Sequence, residues 1–429
     1  MKNLTKIFLI ISGIILMIFI LPVQATPVNS PVIPAPVLLW SASTGSTEIM
    51  SDNAAKVSIS GDGKYVAAGY AAGIVEFRDR QGAVLWKWQS PRHYYTVWQI
   101  AVSRNGEYTG VVLYDPLQNN MGELDYFDRA GKLLWSKPLK DPFGFASVSE
   151  NGSVVALSDS DRISFFTATG LPIGTTVLEG FPWAMEIAKD GSSVTAAMVT
   201  RGYGNLYVIS ANGTILWGSP TGPRRLAVAN SADGRYLAGT DSGTLRYFTR
   251  GGAQLWSYTS APEFTGVAVS SDGSYVAASS QYYLRYFNSS GVKLWQYEAP
   301  NLPTKPGPYL GHLTMSDDGG YLSVSTDGNR TLFFNQEGKL LWQNDSPQPV
   351  ESTSLSRDGK YLALGTEQEF RFFDTGIDVP LVEPAPTVVA TTVTRAPVPS
   401  QTRQAPVPGI LVIVSIVIGI LGHTAYRKK

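Results

Sequence analysis

The sequence predicts an all-β fold, a closed ring of eight four-stranded blades (a β-propeller), with seven blades as the alternative count. Three observations carry this expectation. A hairpin segment recurs eight times, reading VSISGDGKYVAAG over residues 57–69, VAVSSDGSYVAAS over 267–279 and TSLSRDGKYLALG over 353–365. Its turn glycines are Gly63, Gly106, Gly152, Gly191, Gly234, Gly273, Gly319 and Gly359, spaced 39 to 46 residues apart, the length of one blade. Most copies also end in a Leu-Trp pair.

Each hairpin alternates apolar with small or polar residues on both sides of an Asp-Gly or Asn-Gly turn, the pattern of two antiparallel strands. A third strand follows, as in VEFRD, LDYFD, LRYFT and FRFFD. A second tight turn is expected at Gly82, Gly131, Gly170, Gly213, Gly251, Gly291, Gly338 and Gly376. The fourth strand then carries Trp86, Trp135, Trp217, Trp256, Trp295 or Trp342; the third copy lacks this tryptophan and offers residues 173–178 instead. The eighth copy stops after its third strand, and the missing Leu-Trp stands at the start, in Leu39-Trp40. Closure of the ring by this N-terminal strand is therefore expected, and it removes two sheet edges that would otherwise template association. A fourth strand from residues 377–383 is the alternative.

The tryptophans are expected to be structural, filling the wide outer wedge between blades. Ser58, Ala101, Ser147, Ala268, Thr314 and Ser354 suit the narrow innermost strands. The recurring Gly131-Lys132-Leu133-Leu134-Trp135 pattern resembles the tryptophan-docking motif of quinoprotein (PQQ)-like propellers, and the DGKYVA hairpin is similar to WD40-type repeats. The resemblance implies a propeller over residues 37–378. It implies little about activity, because propellers host unrelated functions.

The two ends read as export and anchoring devices. Two lysines precede an apolar run over 7–21, and Val23-Gln24-Ala25 offers a cleavage site, so residues 1–25 read as a signal peptide, with an uncleaved anchor as the alternative. A short linker, 26–36, follows. Residues 379–408, rich in proline and threonine, cannot bury a core and read as a stalk. Residues 409–426 read as a transmembrane helix and 427–429 as a basic cytoplasmic stub, the charge asymmetry of a span that ends inside. This tail resembles the sorting signals of archaeal surface proteins, whose Pro-Gly-Phe tripeptide stands here as Pro408-Gly409-Ile410. The expected location is the cell membrane, single-pass, with the ring on the extracytoplasmic side and the membrane as a partner through the C-terminal helix.

Composition excludes several function classes. Lysine plus arginine and aspartate plus glutamate both number 34 in 429 residues, so no electrostatic footprint for nucleic acid is present. With no cysteine, thiol nucleophiles, thiolate metal sites and disulfides are all excluded. His93, His312 and His423 are too few and too scattered for zinc, and the two in the ring are expected to cap strands. Asp-Gly pairs here are hairpin turns rather than calcium loops. No metal, cofactor or catalytic residue is expected, and enzyme activity is not expected. Quinone-cofactor dehydrogenases, to which the motif is similar, have longer chains, metal-binding acids and often paired cysteines. A channel enzyme of that type is the alternative, and converging ionisable groups in the channel would be its mark. Glu186 interrupts small residues on an innermost strand and is expected to pair with Arg224 or Arg225.

In this topology the Asp-Gly and second-glycine turns share one face of the disk, while the inter-blade loops and those between second and third strands share the other. The second face carries Arg92, His93, Tyr94, Tyr95, Trp183, Tyr203, Arg225, Tyr283 and Tyr309, residue types that dominate binding hot spots. A binding or scaffold role toward a protein or envelope glycan is the expected function. Asn151, Asn212, Asn288, Asn329 and Asn344 each open an Asn-x-Ser/Thr sequon and are candidate glycosylation sites.

Overall fold

In a computed structural model, residues 36–45, 55–92, 96–115, 121–140, 144–200, 202–222, 227–241, 243–299, 310–326 and 329–377 are described. The signal, the stalk, the C-terminal span and its stub lie outside these residues, as does almost all of the linker. Among the described residues no helix is long and apolar enough to cross a membrane.

Eight four-stranded antiparallel sheets make up the ring. Blades 1 to 7 span residues 56–89, 96–139, 146–177, 181–221, 228–259, 264–298 and 310–345, each a meander from innermost to outermost strand. Blade 8 takes three strands from 350–374, and its outermost strand is Val37–Ser43. Val37 pairs with Asp374 and Trp40 with Phe372. The N-terminal strand therefore completes the last blade, as expected, and eight is the blade count. The break in the chain falls where every other blade has its turn between third and fourth strands.

The hairpin motif has a local cause. Ser60 Oγ accepts the Tyr65 N–H at 3.0 Å and donates to Asp62 Oδ1 at 2.8 Å, while Asp62 Oδ1 accepts the Lys64 N–H at 3.0 Å. Ser103 with Asn105, Ser231 with Asp233, Ser270 with Asp272, Ser316 with Asp318 and Ser356 with Asp358 repeat the arrangement. A serine two residues before the Asp or Asn thus closes the turn from inside. All eight turn glycines have φ between +63° and +77°, a region that side-chain-bearing residues rarely adopt. At the second turn of blade 5 the positive φ belongs to Gly252, not to Gly251 as the repeat spacing suggested.

Aromatic columns join the blades. Tyr65, Phe77, Trp86 and Phe127 stack in succession with centroid spacings of 5.4, 5.3 and 5.5 Å, the last step crossing from blade 1 to blade 2. Tyr275, Tyr286, Trp295 and Phe334 do the same from blade 6 to blade 7. Each indole also covers a turn of the next blade: a Cβ on Gly131 would lie 2.6 Å from the Trp86 ring, and Trp86 Nε1 donates to the Arg129 carbonyl at 3.0 Å. Trp40, Trp135, Trp256 and Trp295 donate equivalently. Trp217 and Trp342 take the same place in their blades, although their indole N–H groups find no partner. Six of these seven tryptophans thus pack against a ring of the third strand in their own blade, and Trp217 packs against Phe248 of the next blade.

The leucine before each tryptophan has a separate role. Register shifts at Phe77/Arg78, Tyr126/Phe127 and Tyr286/Phe287 leave Leu85, Leu134 and Leu294 as the extra residues of β-bulges, and Ile173 takes this place in blade 3. A bulge twists the outermost strand and blunts its free edge. Where blade 3 lacks a tryptophan, the next blade moves in: Gly174 lies directly under the Asn212 backbone, and Thr176 donates to the Gly213 carbonyl.

Candidate functional site

The loop face and the channel both gather polar and aromatic side chains, and the structure treats the expected site residues unevenly. His93, Tyr94, Tyr95, Arg225 and Tyr309 lie outside the described residues, as do Arg224 and His423. Arg92 is exposed between blades 1 and 2. Trp183 is not in a loop: it belongs to the innermost strand of blade 4, Phe181–Ile187, where a bulge between Pro182 and Ala184 turns it out. Tyr283 likewise starts a strand, Tyr283–Asn288, and lies half-buried against Arg285 with 4.6 Å between guanidinium and ring. Packing therefore claims Tyr283, because Arg285 is buried and leans on the rings of Tyr258, Phe264 and Tyr283.

What remains on the loop face is a corner at blade 4. Phe181 and Trp183 are each 46% exposed and Tyr203 is 43% exposed. Tyr203 sits between the second and third strands and donates its hydroxyl to Glu179 Oε1 at 2.8 Å. That bond carries the ring back toward the strand that bears Phe181. Thr200 Oγ1 donates to the Tyr203 carbonyl at 3.0 Å and fixes the loop. Blade 4 thus presents three exposed rings on this face, one of them tied to the Glu179 carboxylate.

The sequons divide by environment. Asn151 and Asn212 are exposed at turns, and the Asn151 carboxamide oxygen accepts the Ser153 N–H. The Asn344 amide nitrogen is buried without a partner, which leaves no room for a glycan there.

The channel holds a charge cluster that the repeat analysis passed over. The residue two before the turn glycine is ionisable in five blades: Arg104, Glu150, Lys189, Asp317 and Arg357. Asp317 of blade 7 meets three cations. Arg104 Nη2 of blade 2 donates to its Oδ1, Lys189 Nζ of blade 4 donates to the same oxygen at 2.6 Å, and Arg357 Nε of blade 8 lies 3.7 Å from Oδ2. Lys189 also donates to Ser271 Oγ of blade 6. Aligning the eight turns and reading the column two before the glycine would have found these residues.

The backbones of the same turns form a continuous belt. Gly61 N–H donates to the Arg104 carbonyl, Asn105 to Glu150, Glu150 to Lys189 and Asp190 to Ala232. Ala232 donates to Ser271, Ser271 to Asp317, Asp317 to Arg357, and Arg357 back to Gly61. Every blade is thereby tied to the next around the channel mouth.

Burial governs the protonation of this region. It pulls the Arg104 guanidinium down to about 10, with Glu150 opposing and Arg357 adding. It pulls the Lys189 ammonium below the ordinary lysine range, with Arg104 adding; the Asp317 carboxylate in contact works against both. Glu186, on the innermost strand of blade 4, is pushed up to about 7 by burial, against the Asn230 N–H that it accepts at 3.1 Å. Its observed partner is thus a backbone amide of blade 5; the expected Arg224 and Arg225 lie outside the described residues. His312 does not cap a strand: it stands within the innermost strand of blade 7, Leu310–Met315, where its side chain is exposed and the charge of Lys56 disfavours its protonation. Among the described residues no group of three His, Asp or Glu side chains is arranged to hold a metal ion.

Comparisons with known proteins bear on the fold. A family model described as outer membrane protein assembly factor BamB matches residues 202–362, less than half the chain. The C-terminal WD40 domain of Sif2 is similar at 14% identity with a TM-score of 0.61, over 80% of this chain and 99% of that one. The Dos1 propeller is similar at 10% identity with a TM-score of 0.61, over 80% of this chain and 96% of that one. No curated protein sequence matches. At these identities the structural likeness concerns the fold alone, and on that evidence the chain is an eight-bladed β-propeller of WD40- and PQQ-like repeats.

Proposed function

We propose that this chain is a membrane-anchored, extracytoplasmic scaffold whose loop face binds a protein or an envelope glycan. The observation that supports it best is blade 4, where Phe181, Trp183 and Tyr203 are the large rings that stay exposed among the described residues. Aromatic faces beside a carboxylate suit a sugar or a peptide chain: the ring stacks on apolar patches, and Glu179 accepts from hydroxyl or amide donors. The geometry of the ring's ends agrees with anchoring. Val37 pairs with Asp374, so the described chain enters and leaves the ring on the turn face, opposite the proposed binding corner.

A channel enzyme draws on the convergence of Arg104, Lys189, Asp317 and Glu186. In our reading that cluster ties the blades together through Asp317, and catalysis is not part of the proposal. The test is binding of the full chain to fractionated envelope glycans and surface proteins, with Phe181, Trp183 and Tyr203 replaced together by Ala. Binding should be lost while the unfolding midpoint holds. Lys64→Ala and Lys132→Ala, on the turn face, should bind as wild type. Retention of binding by the triple variant sinks the assignment of this corner.

A further inference from the structure

We propose that the channel cluster is a binding site for a small oxyanion, a phosphate or carboxylate group, held by Arg104, Lys189 and Arg357. The three cations come from blades 2, 4 and 8 and converge on one carboxylate, Asp317. The second acid of the ring, Glu150, acts on Arg104 and Lys189 through its charge alone. Burial raises the pKa of Glu186, on the innermost strand of blade 4, and so weakens its negative charge. Three cations thus face two carboxylates, Asp317 and Glu150, around the axis, which leaves positive charge in excess there.

The cations are also preorganised and reachable. Each stands in a turn fixed by the backbone belt, so little freedom is left to lose when an anion arrives. Each side chain nonetheless keeps contact with water: 23% exposed at Arg104, 22% at Lys189 and 37% at Arg357. Two guanidinium forks and an ammonium match the donor demand of an oxyanion, and a low-dielectric channel strengthens their pull. Asp317 occupies part of the site and orients the cations, so it also competes with an incoming anion.

Inorganic phosphate, and separately succinate, are titrated into the purified full chain at constant ionic strength while the thermal unfolding midpoint is followed. A saturable rise is expected. Arg357→Gln, which removes the most loosely held cation, should weaken the half-saturation concentration about tenfold, the loss of one charge-assisted bond. Asp317→Asn gives an opposite sign: it loses stability without anion, regains it with anion, and half-saturates at lower concentration than wild type. Phosphate acting where succinate does not identifies a phosphate site; the reverse identifies a carboxylate site. A rise that never saturates, or one that is unchanged in both variants, overturns the proposal. So does an Asp317→Asn chain that neither anion restores.

Discussion

Replacing Trp40 by Ala tests whether the ring is held by its first strand. The indole stacks on Phe372 at 5.3 Å, meets Phe370 edge-on at 5.9 Å, and lies under Arg78 at 5.7 Å. Its N–H donates to the Arg80 carbonyl of blade 1 at 2.9 Å. Truncating a packed tryptophan costs about 3–5 kcal/mol, and Trp40 is half-buried, which favours the lower half of that range. The orphaned Arg80 carbonyl adds about 1 kcal/mol. For a ring of roughly 340 residues the unfolding entropy is about 0.7 kcal/mol/K, so a loss of about 4–5 kcal/mol should lower the midpoint by about 6–7 °C. Calorimetry on Trp40→Ala and Trp295→Ala measures it, because Trp295 has the same stacking and the same donor bond, to Gln336, inside an uninterrupted blade. A drop below about 1 °C for Trp40→Ala, beside a full drop for Trp295→Ala, would refute closure by the first strand.

Three further outcomes are expected. Asp125 is buried and raised to about 7, by burial first and by Glu123 after it, against Ser136 and Arg92; its ordinary value is 3.8. Between those values the folded chain keeps a proton that the unfolded chain has lost, so stability falls as pH rises through that window, and Asp125→Asn should gain roughly 2–4 kcal/mol over wild type at pH 8 and little at pH 3.5 in denaturant titrations. Gly338→Ala, at φ +80° with the Trp295 ring 2.7 Å from the new Cβ, should cost on the order of 2–4 kcal/mol, whereas Gly45→Ala, at φ +72° with open space around it, should cost about 1 kcal/mol by chemical denaturation. Protease added to intact cells should release the ring as a soluble fragment; protection until lysis contradicts the outward orientation.

Much of the fold was legible because each repeat writes its own geometry. The spacing of turn glycines set the blade count, and the Leu-Trp displaced from the eighth copy to residues 39 and 40 announced the closure. The candidate site was legible only in part. Whether a ring is packed or presented depends on which strand it borders: Trp183 is turned out by a bulge, while Tyr283, two residues from the buried Arg285, is drawn into its cage. Those are consequences of register, which residue type does not specify. The channel cluster stayed hidden for a different reason. Arg104, Lys189, Asp317 and Arg357 are far apart in sequence and meet only at an eightfold axis, so no local motif marks them.

Pairing of Val37–Ser43 with Glu369–Asp374 has a consequence for biogenesis. The first strand of the ring to leave the ribosome is the last to find its neighbour. Until the whole of blade 8 has been made, Leu38, Leu39 and Trp40 have no sheet to join. This is a closure of very long contact order, and such pairings form slowly. A nascent or translocating chain would carry an unpaired apolar strand for most of its synthesis, the kind of segment that aggregates or recruits a chaperone. Completion of the final blade then acts as a checkpoint on length: a chain truncated anywhere before residue 369 leaves that strand unclasped.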